Sequence, residues 1–543
     1  MLTWQVFEFF GIAPRLRKKL LPRNHAIVAH DVDLTHGTLK SFREPLKVSD
    51  KTGDVRLHSH GCHIFTWDEC VTVAEWLPDC PRLFVTGRTD YPETATINAD
   101  GSLTYRRLGV PRPPNAPKVS ALAVNSDKSR EVAYVTTYVN SFGEESAPSM
   151  PSNDVIVEDG SPVAVSFRYN PPLEYDVEKI RIYRRETGFR TGAEKQQELA
   201  TGWFLVGEVP VGTDGITDTM RILDVNYGLT TTDVRPPPAD MQNVTLIDST
   251  ALLAGSQGNK LLFSKHLQPH NFPLSDEMTL DDNVVAMGSL GNFLFVATDG
   301  HPYKLVADIG CDERDCRDIV RYDEPLPMIA CHTGRGSVVT PFGFVYVSTD
   351  GLVLLPEQGP PKVLTTDVLS SDDWRMLQPH TMRLAWHKGA LFIISEAISM
   401  VYWLDHNTYG DTKNKRLVTI SDKPIDLVQT RQGELLLMID DGVYQWNAGT
   451  KWRPYLWVSE YITAGFYFDI TRVRAVIQDG SANITTESDR TTVTRLFPQG
   501  CTTIPYSRHG RRKEFQIKVQ GKGELLELTI GVYQVDMANR GSQ

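Results

Sequence analysis

The densest set of metal-capable side chains is His58-Ser59-His60-Gly61-Cys62-His63. Side chains alternate along a strand, so His58, His60 and Cys62 would share one face, neighbours ~7 Å apart, within reach of a zinc ion. No Cys-x2-Cys or His-x3-His pair accompanies them, and Cys70 and Cys80 stand at unusual spacing. The expectation is a half-buried strand with surface histidines and no metal. Cys311-x4-Cys316 carries Asp312, Glu313, Asp315 and Asp318 but lacks the glycine pattern of a calcium loop, so it reads as a solvated acidic loop. Adjacent carboxylates occur at Glu144-Glu145, Asp281-Asp282, Asp372-Asp373 and Asp440-Asp441. A glycosidase needs two carboxyls ~5–9.5 Å apart across a sugar. Neighbours in a strand point to opposite faces, so none of these pairs is itself a catalytic dyad.

Other signatures are fragmentary. Ser348-Thr349-Asp350-Gly351 is part of the Ser-x-Asp-x-Gly-x-x-Trp box of sialidases, without the spacer or the Trp, and no arginine-triad signature can be picked out. There is no G-x-S-x-G elbow and no phosphate loop, and Gly334-Arg335-Gly336 is not followed by a strand-to-helix switch. The residues therefore predict no catalytic, cofactor-binding or metal site and a chain that is not an enzyme. Two basic clusters remain. Arg15, Arg17, Lys18 and Lys19 surround Leu16, Leu20 and Leu21, as a short basic helix or an arm docking on a neighbour. Arg508, Arg511, Arg512 and Lys513 would attract phosphates if they faced DNA, pair with acidic loops if they faced another subunit, or simply be solvated.

The elements that must position these residues announce themselves as a repeat. Glycine, apolar run, turn and apolar run recur at Gly291–Leu305, Gly343–Leu355, Gly389–Leu404 and Gly433–Trp446, with a fainter copy from Gly258. The later copies start about 45 residues apart, the period of propeller blades. Proline linkers at Val110–Pro117 and Arg235–Pro238 bracket short alternating strands such as Val132–Val139, the pattern of an immunoglobulin- or fibronectin-like sandwich. From Trp452 the period breaks into further short strands. The expected fold is mainly β: a β-propeller with an inserted fibronectin-III-like β-sandwich and a C-terminal β-sandwich-like domain. The segments are 1–50 (arm and hairpin), 51–110 (first propeller strands), 111–238 (inserted sandwich), 239–451 (blades) and 452–543 (C-terminal small β domain).

Composition narrows the function. The 543 residues carry a net charge of −11, against a sequence-reading DNA binder but not against a surface that lets nucleic acid pass. No run of ~18 apolar residues predicts a membrane span. The first residues make a poor signal peptide, and the seven cysteines are too few and odd in number for a disulfide framework, so folding in a cytoplasm is expected.

Several phrases together resemble the tail tubular protein B, or nozzle, family of short-tailed bacteriophages. They are Gly11-Ile12-Ala13-Pro14-Arg15, then Val32-Asp33-Leu34 and Gly37-Thr38-Leu39; Leu108-Gly109-Val110-Pro111; the Gly143–Ser149 loop; Ile180–Arg184; Leu253–Ser264; and Leu377-Gln378-Pro379. The resemblance is spread over the chain up to about residue 450. It implies a virion structural protein, made in the host cytoplasm, six copies of which form a ring below the portal. Implied partners are the head-to-tail adaptor, tail fibre or tip proteins, and viral DNA in transit during genome ejection. An acidic balance would keep that DNA from sticking. The alternatives are a glycan-binding or glycan-cleaving tail protein, or a receptor-contacting tail tip.

Overall fold

The computed structural model describes residues 2–53, 55–76, 81–122, 129–158, 160–189, 202–221, 227–312, 315–321, 326–403, 416–488, 491–506 and 512–534. The chain is mainly β, with one short α-helix, Ser371–Met376, among the described residues.

Six small antiparallel meanders organise most of it. The first comprises Thr72–Glu75, Arg82–Thr86, Glu93–Ile97 and Leu103–Arg107; the second runs from Gln242–Ile247 to Met278–Thr279. The third spans Val284–Leu290 to Asp315–Arg321 and the fourth Ser337–Thr340 to Lys362–Val363. The fifth spans Arg383–His387 to Arg416–Thr419, and the sixth is Asp426–Gln429, Leu435–Ile439 and Gly442–Gln445. Leu46–Ser49, from far earlier in the chain, supplies the sixth sheet's outer strand. Each second strand is a continuous apolar run, such as Phe293–Thr298 or Gly343–Ser348, because both of its faces are covered by neighbouring sheets. A Ser or Thr at the end of that strand closes the next turn: Thr298 Oγ1 donates to the His301 carbonyl, Ser348 Oγ to Gly351 and Ser395 Oγ to Ile398.

The first strands of successive sheets stand side by side in chain order, from Thr72–Glu75 to Asp426–Gln429. The hairpin Arg56–His60/His63–Trp67 completes the circuit. Leu57 packs with Leu436, Met438 and Val443 of the sixth sheet, and Phe65 and Trp67 pack with Leu83, Val85 and Ala95 of the first. No sheet of the circuit buries its faces alone, so closure is worth far more than any one hairpin.

The described residues between 118 and 218 form two sheets around their own core of Val119, Tyr134, Tyr138, Val165, Ile180 and Ile182. Ser129–Asn140 is buried along almost its whole length. One reason is the loop that follows it. Ser146, Ser149 and Ser152 donate their backbone N–H to the carbonyls of Tyr138, Thr136 and Tyr134, and their Oγ atoms accept the N–H groups of the same three residues. Serine at every third position thus satisfies a strand edge that would otherwise be open.

The two ends of the chain share one curled sheet, which together with the four strands of the fifth meander counts twelve strands. Its spine, Arg512–Gln534, pairs with Leu2–Val6, Leu39–Ser41 and Tyr455–Ser459, and along its length with Ile462–Glu487. Ala26–His30 then links this sheet to the fifth meander through His30 and Thr419. The sequence suggests short separate strands after Trp452, divided at Asp479-Gly480 and Gly521–Gly523. In the structure these glycines lie within long strands, at a bulge. A Cβ on Gly480 would sit 2.0 Å from the Lys522 carbonyl oxygen, and one on Gly523 would sit 2.0 Å from that of Asp479. The turn-like residues mark a close backbone crossing rather than a chain reversal.

Candidate functional site

The starts of several first strands gather around one cavity of the circuit. Arg56 opens the hairpin strand, Arg383 opens the fifth sheet and Asp426 the sixth, while Arg335 lies just before Ser337–Thr340 of the fourth. A cavity of about 620 Å³ lies here, lined by Arg56, Thr72, Asn243, Thr245, Met287 and Arg335 among others.

Asp426 is the carboxylate that pairs with Arg56 and Arg335 among the described residues. Its Oδ2 accepts the Leu57 N–H at 2.7 Å and lies 3.8 Å from Arg56 Nη1, and its Oδ1 lies 3.9 Å from Arg335 Nη2. Arg335 also donates to the Val55 carbonyl. The Nε atoms of Arg56 and Arg335 are buried with no hydrogen-bond partner. Burial lowers the Arg335 and Arg383 pKa values from the ordinary guanidinium range, Asp426 opposes this, and the neighbouring guanidiniums add to the lowering. One carboxylate among three guanidiniums leaves the end of the axis electropositive. The sequence offered no arginine-triad signature because these residues come from four separate units, with successive gaps of 279, 48 and 43 residues in chain order. The one local signal was Gly334-Arg335-Gly336, which reads as a loop.

The strands' far ends hold a second cluster. Glu75 Oε1 lies 3.2 Å from His58 Nε2, its Oε2 lies 3.1 Å from His60 Nδ1, and Arg431 also pairs with it. Burial alone would raise the Glu75 pKa, but His58, Arg431 and His60 bring it down to about 2. The histidines are therefore not the surface groups expected from sequence; their side chains are 14% and 13% exposed. Cys62 is exposed beyond Gly61, whose φ of +57° turns the chain out of the strand. No group of three or more His, Cys, Asp or Glu suited to a metal occurs among the described residues. The cluster instead fastens the closing hairpin to the first and sixth sheets.

The adjacent carboxylates sit in loops, turns and the short helix rather than in strands, and Glu144 and Glu145 take different partners. Glu144 turns inward to Arg82 at 2.8 Å, His270 at 3.5 Å and Asn140 Nδ2 at 2.8 Å, while Glu145 takes Arg181, Tyr183 and Thr137. Asp282 accepts the His301 N–H, Asp373 closes the capping box of the short helix with Ser370, and Asp441 accepts the Tyr444 hydroxyl. The side chains of the Cys311–Cys316 loop lie outside the described residues.

The N-terminal basic cluster forms turns, not a helix. Arg15 reaches the Thr366 carbonyl and Asp367, and Lys19 pairs with Glu514 at 3.0 Å; Arg17 and Lys18 are exposed. Of the C-terminal cluster, Arg508 and Arg511 lie outside the described residues, Arg512 begins the sheet's spine, and Lys513 Nζ sits 5.0 Å from the Tyr467 ring centroid.

No family model and no curated protein matches the chain. Among solved structures it is similar to an exo-β-1,3-galactanase from Phanerochaete chrysosporium with galactose, at 7% identity, covering 73% of this chain and 98% of that one, with a TM-score of 0.15. It is also similar to a glycoside hydrolase at 9% identity, covering 77% of this chain and 98% of that one, again with a TM-score of 0.15. Both neighbours are enzymes by name, against the expectation of a non-enzyme, and at a TM-score of 0.15 the likeness assigns this chain no activity.

Proposed function

We propose that this chain is a tail protein of a short-tailed bacteriophage that engages a glycan through the cavity on its axis. In this reading the circuit of six sheets is a β-propeller closed by the Arg56–Trp67 hairpin, and residues 111–238 are its fibronectin-like insertion. The tail assignment draws on the sequence resemblance. The glycan assignment is carried by the cavity itself: about 620 Å³, within the range of small-ligand sites, and lined by guanidiniums, hydroxyls and backbone groups that match saccharide oxygens. The purified chain, presented with host surface polysaccharide, is expected to bind it, and blocking the cavity with Thr245→Trp is expected to abolish binding. Retention of full binding by a folded Thr245→Trp variant would move the site elsewhere. Release of reducing sugar in the same mixture reads cleavage directly.

A second reading, assembly into a six-fold ring beside an adaptor, is favoured by one surface. Leu20 is 68% exposed, and Leu16 is also exposed, beside Arg17 and Lys18, on a chain of net charge −11. Such a basic, apolar arm suits an acidic neighbouring subunit. Electron microscopy of the chain with and without Leu20→Glu tests it: rings from the parent and none from the variant are expected. On either reading the site of action is the virion. No helix among the described residues is long and apolar enough to cross a membrane.

A further inference from the structure

The charge of the axial cavity says more than its volume, and this step rests on the glycan reading above. Arg56 and Arg335 meet around Asp426, which is almost wholly buried and already accepts the Leu57 N–H, and Arg383 adds its charge from the neighbouring sheet. The two ion-pair separations, 3.8 and 3.9 Å, are long, so the guanidiniums are not locked onto the carboxylate. The Nε groups of Arg56 and Arg335 are buried without acceptors. A buried guanidinium left without a counter-charge costs free energy, and a cluster with surplus positive charge stores that cost until an anion arrives. Guanidinium also presents paired N–H donors in a plane, which match the two oxygens of a carboxylate.

We propose that the arginine end of the axial cavity is a recognition site for the carboxylate of an acidic saccharide, with Arg56 and Arg335, which line it, as its principal donors, Asp426 as the residue that orients them, and Arg383 adding positive charge nearby. A neutral sugar would leave the same donors unpaired. Inorganic phosphate, which shares the anionic oxygens but not the ring, would also enter.

The test is calorimetric titration of glucuronate, glucose and inorganic phosphate into the full chain and into Arg335→Met and Arg383→Met, with a thermal melt of each protein. Glucuronate is expected to bind the parent, glucose at least tenfold more weakly, and each variant to lose glucuronate binding at least tenfold. Arg383→Met is expected to melt no lower than the parent without ligand, because it removes a like charge, and to lose the rise in melting temperature that glucuronate gives the parent. Arg335→Lys keeps the charge and serves where Arg335→Met fails to fold; it is expected to weaken binding through loss of the paired donors. Equal binding of glucose and glucuronate, unchanged in both variants, would overturn the anion site and leave the glycan reading standing. Phosphate binding lost in the variants, with no saccharide bound, would keep the anion site but overturn its saccharide ligand and the glycan reading with it. No binding of glucuronate or phosphate overturns the site.

Discussion

Glu144→Gln probes the joint between the inserted sandwich and the circuit. Arg82, Glu144 and His270 are 7%, 8% and 7% exposed, and they come from the first sheet, the sandwich loop and the second sheet. Phe142 adds to the joint, with its ring centroid 4.0 Å from the Arg82 guanidinium and 5.4 Å from that of Arg106. Burial alone would raise the Glu144 pKa, yet His270 and Arg82 hold it at about 2, against an ordinary 4.5. The shift corresponds to about 3 kcal/mol. Breaking a buried pair from one side costs ~3–5 kcal/mol by a separate route, the stranded partner charge, so the two agree. Because the folded pKa is depressed, this stability is fully present above about pH 4.5 and is lost as pH falls towards 2. Urea denaturation at pH 7 is expected to show Glu144→Gln destabilised by about 3 kcal/mol, with a much smaller difference from the parent at pH 3. Limited proteolysis is expected to cut the variant first near residues 111–117 and 235–238. Adding Arg82→Met is expected to restore part of the loss. A single variant that loses under 1 kcal/mol at pH 7, or loses equally at pH 3, would refute the assignment of Glu144 as the electrostatic key of the joint.

Glu460 gives the opposite pH dependence. It is 5% exposed with Oε2 unpartnered, and burial raises its pKa to about 7 despite the Asn24 N–H. The folded state holds a proton that the unfolded state releases, so its penalty grows as pH rises from about 4.5 to 7; Glu460→Gln should stabilise the chain by about 3 kcal/mol at pH 8 and little at pH 4, measured by denaturation at both. Gly523→Ala meets the Asp479 carbonyl at a φ of +98°, so it is expected to cost at least ~2 kcal/mol in a thermal melt, whereas Gly500→Ala, where nothing lies near the added Cβ, is expected to cost less.

Much of the architecture is written locally. Apolar runs broken by Asp299-Gly300, Asp350-Gly351 and Asp441-Gly442 specify hairpins, and at Gly351 and Gly442 φ values of +148° and +150° favour glycine. The alternation in Val132–Val139 specifies a strand with Tyr134 and Tyr138 on one face, and both lie in the sandwich core. What needed the tertiary structure was every relation between distant segments. Leu46–Ser49 completes the sixth sheet, Glu144 meets His270, and Arg56 meets Asp426 across hundreds of residues. His58 and His60 looked like surface groups because their partner, Glu75, belongs to another sheet. Period and turn chemistry act over a few residues, and so the sequence determined the strands and their reversals. Charge pairing and ring closure act through space, and only the closed circuit decided which side chains share its axis.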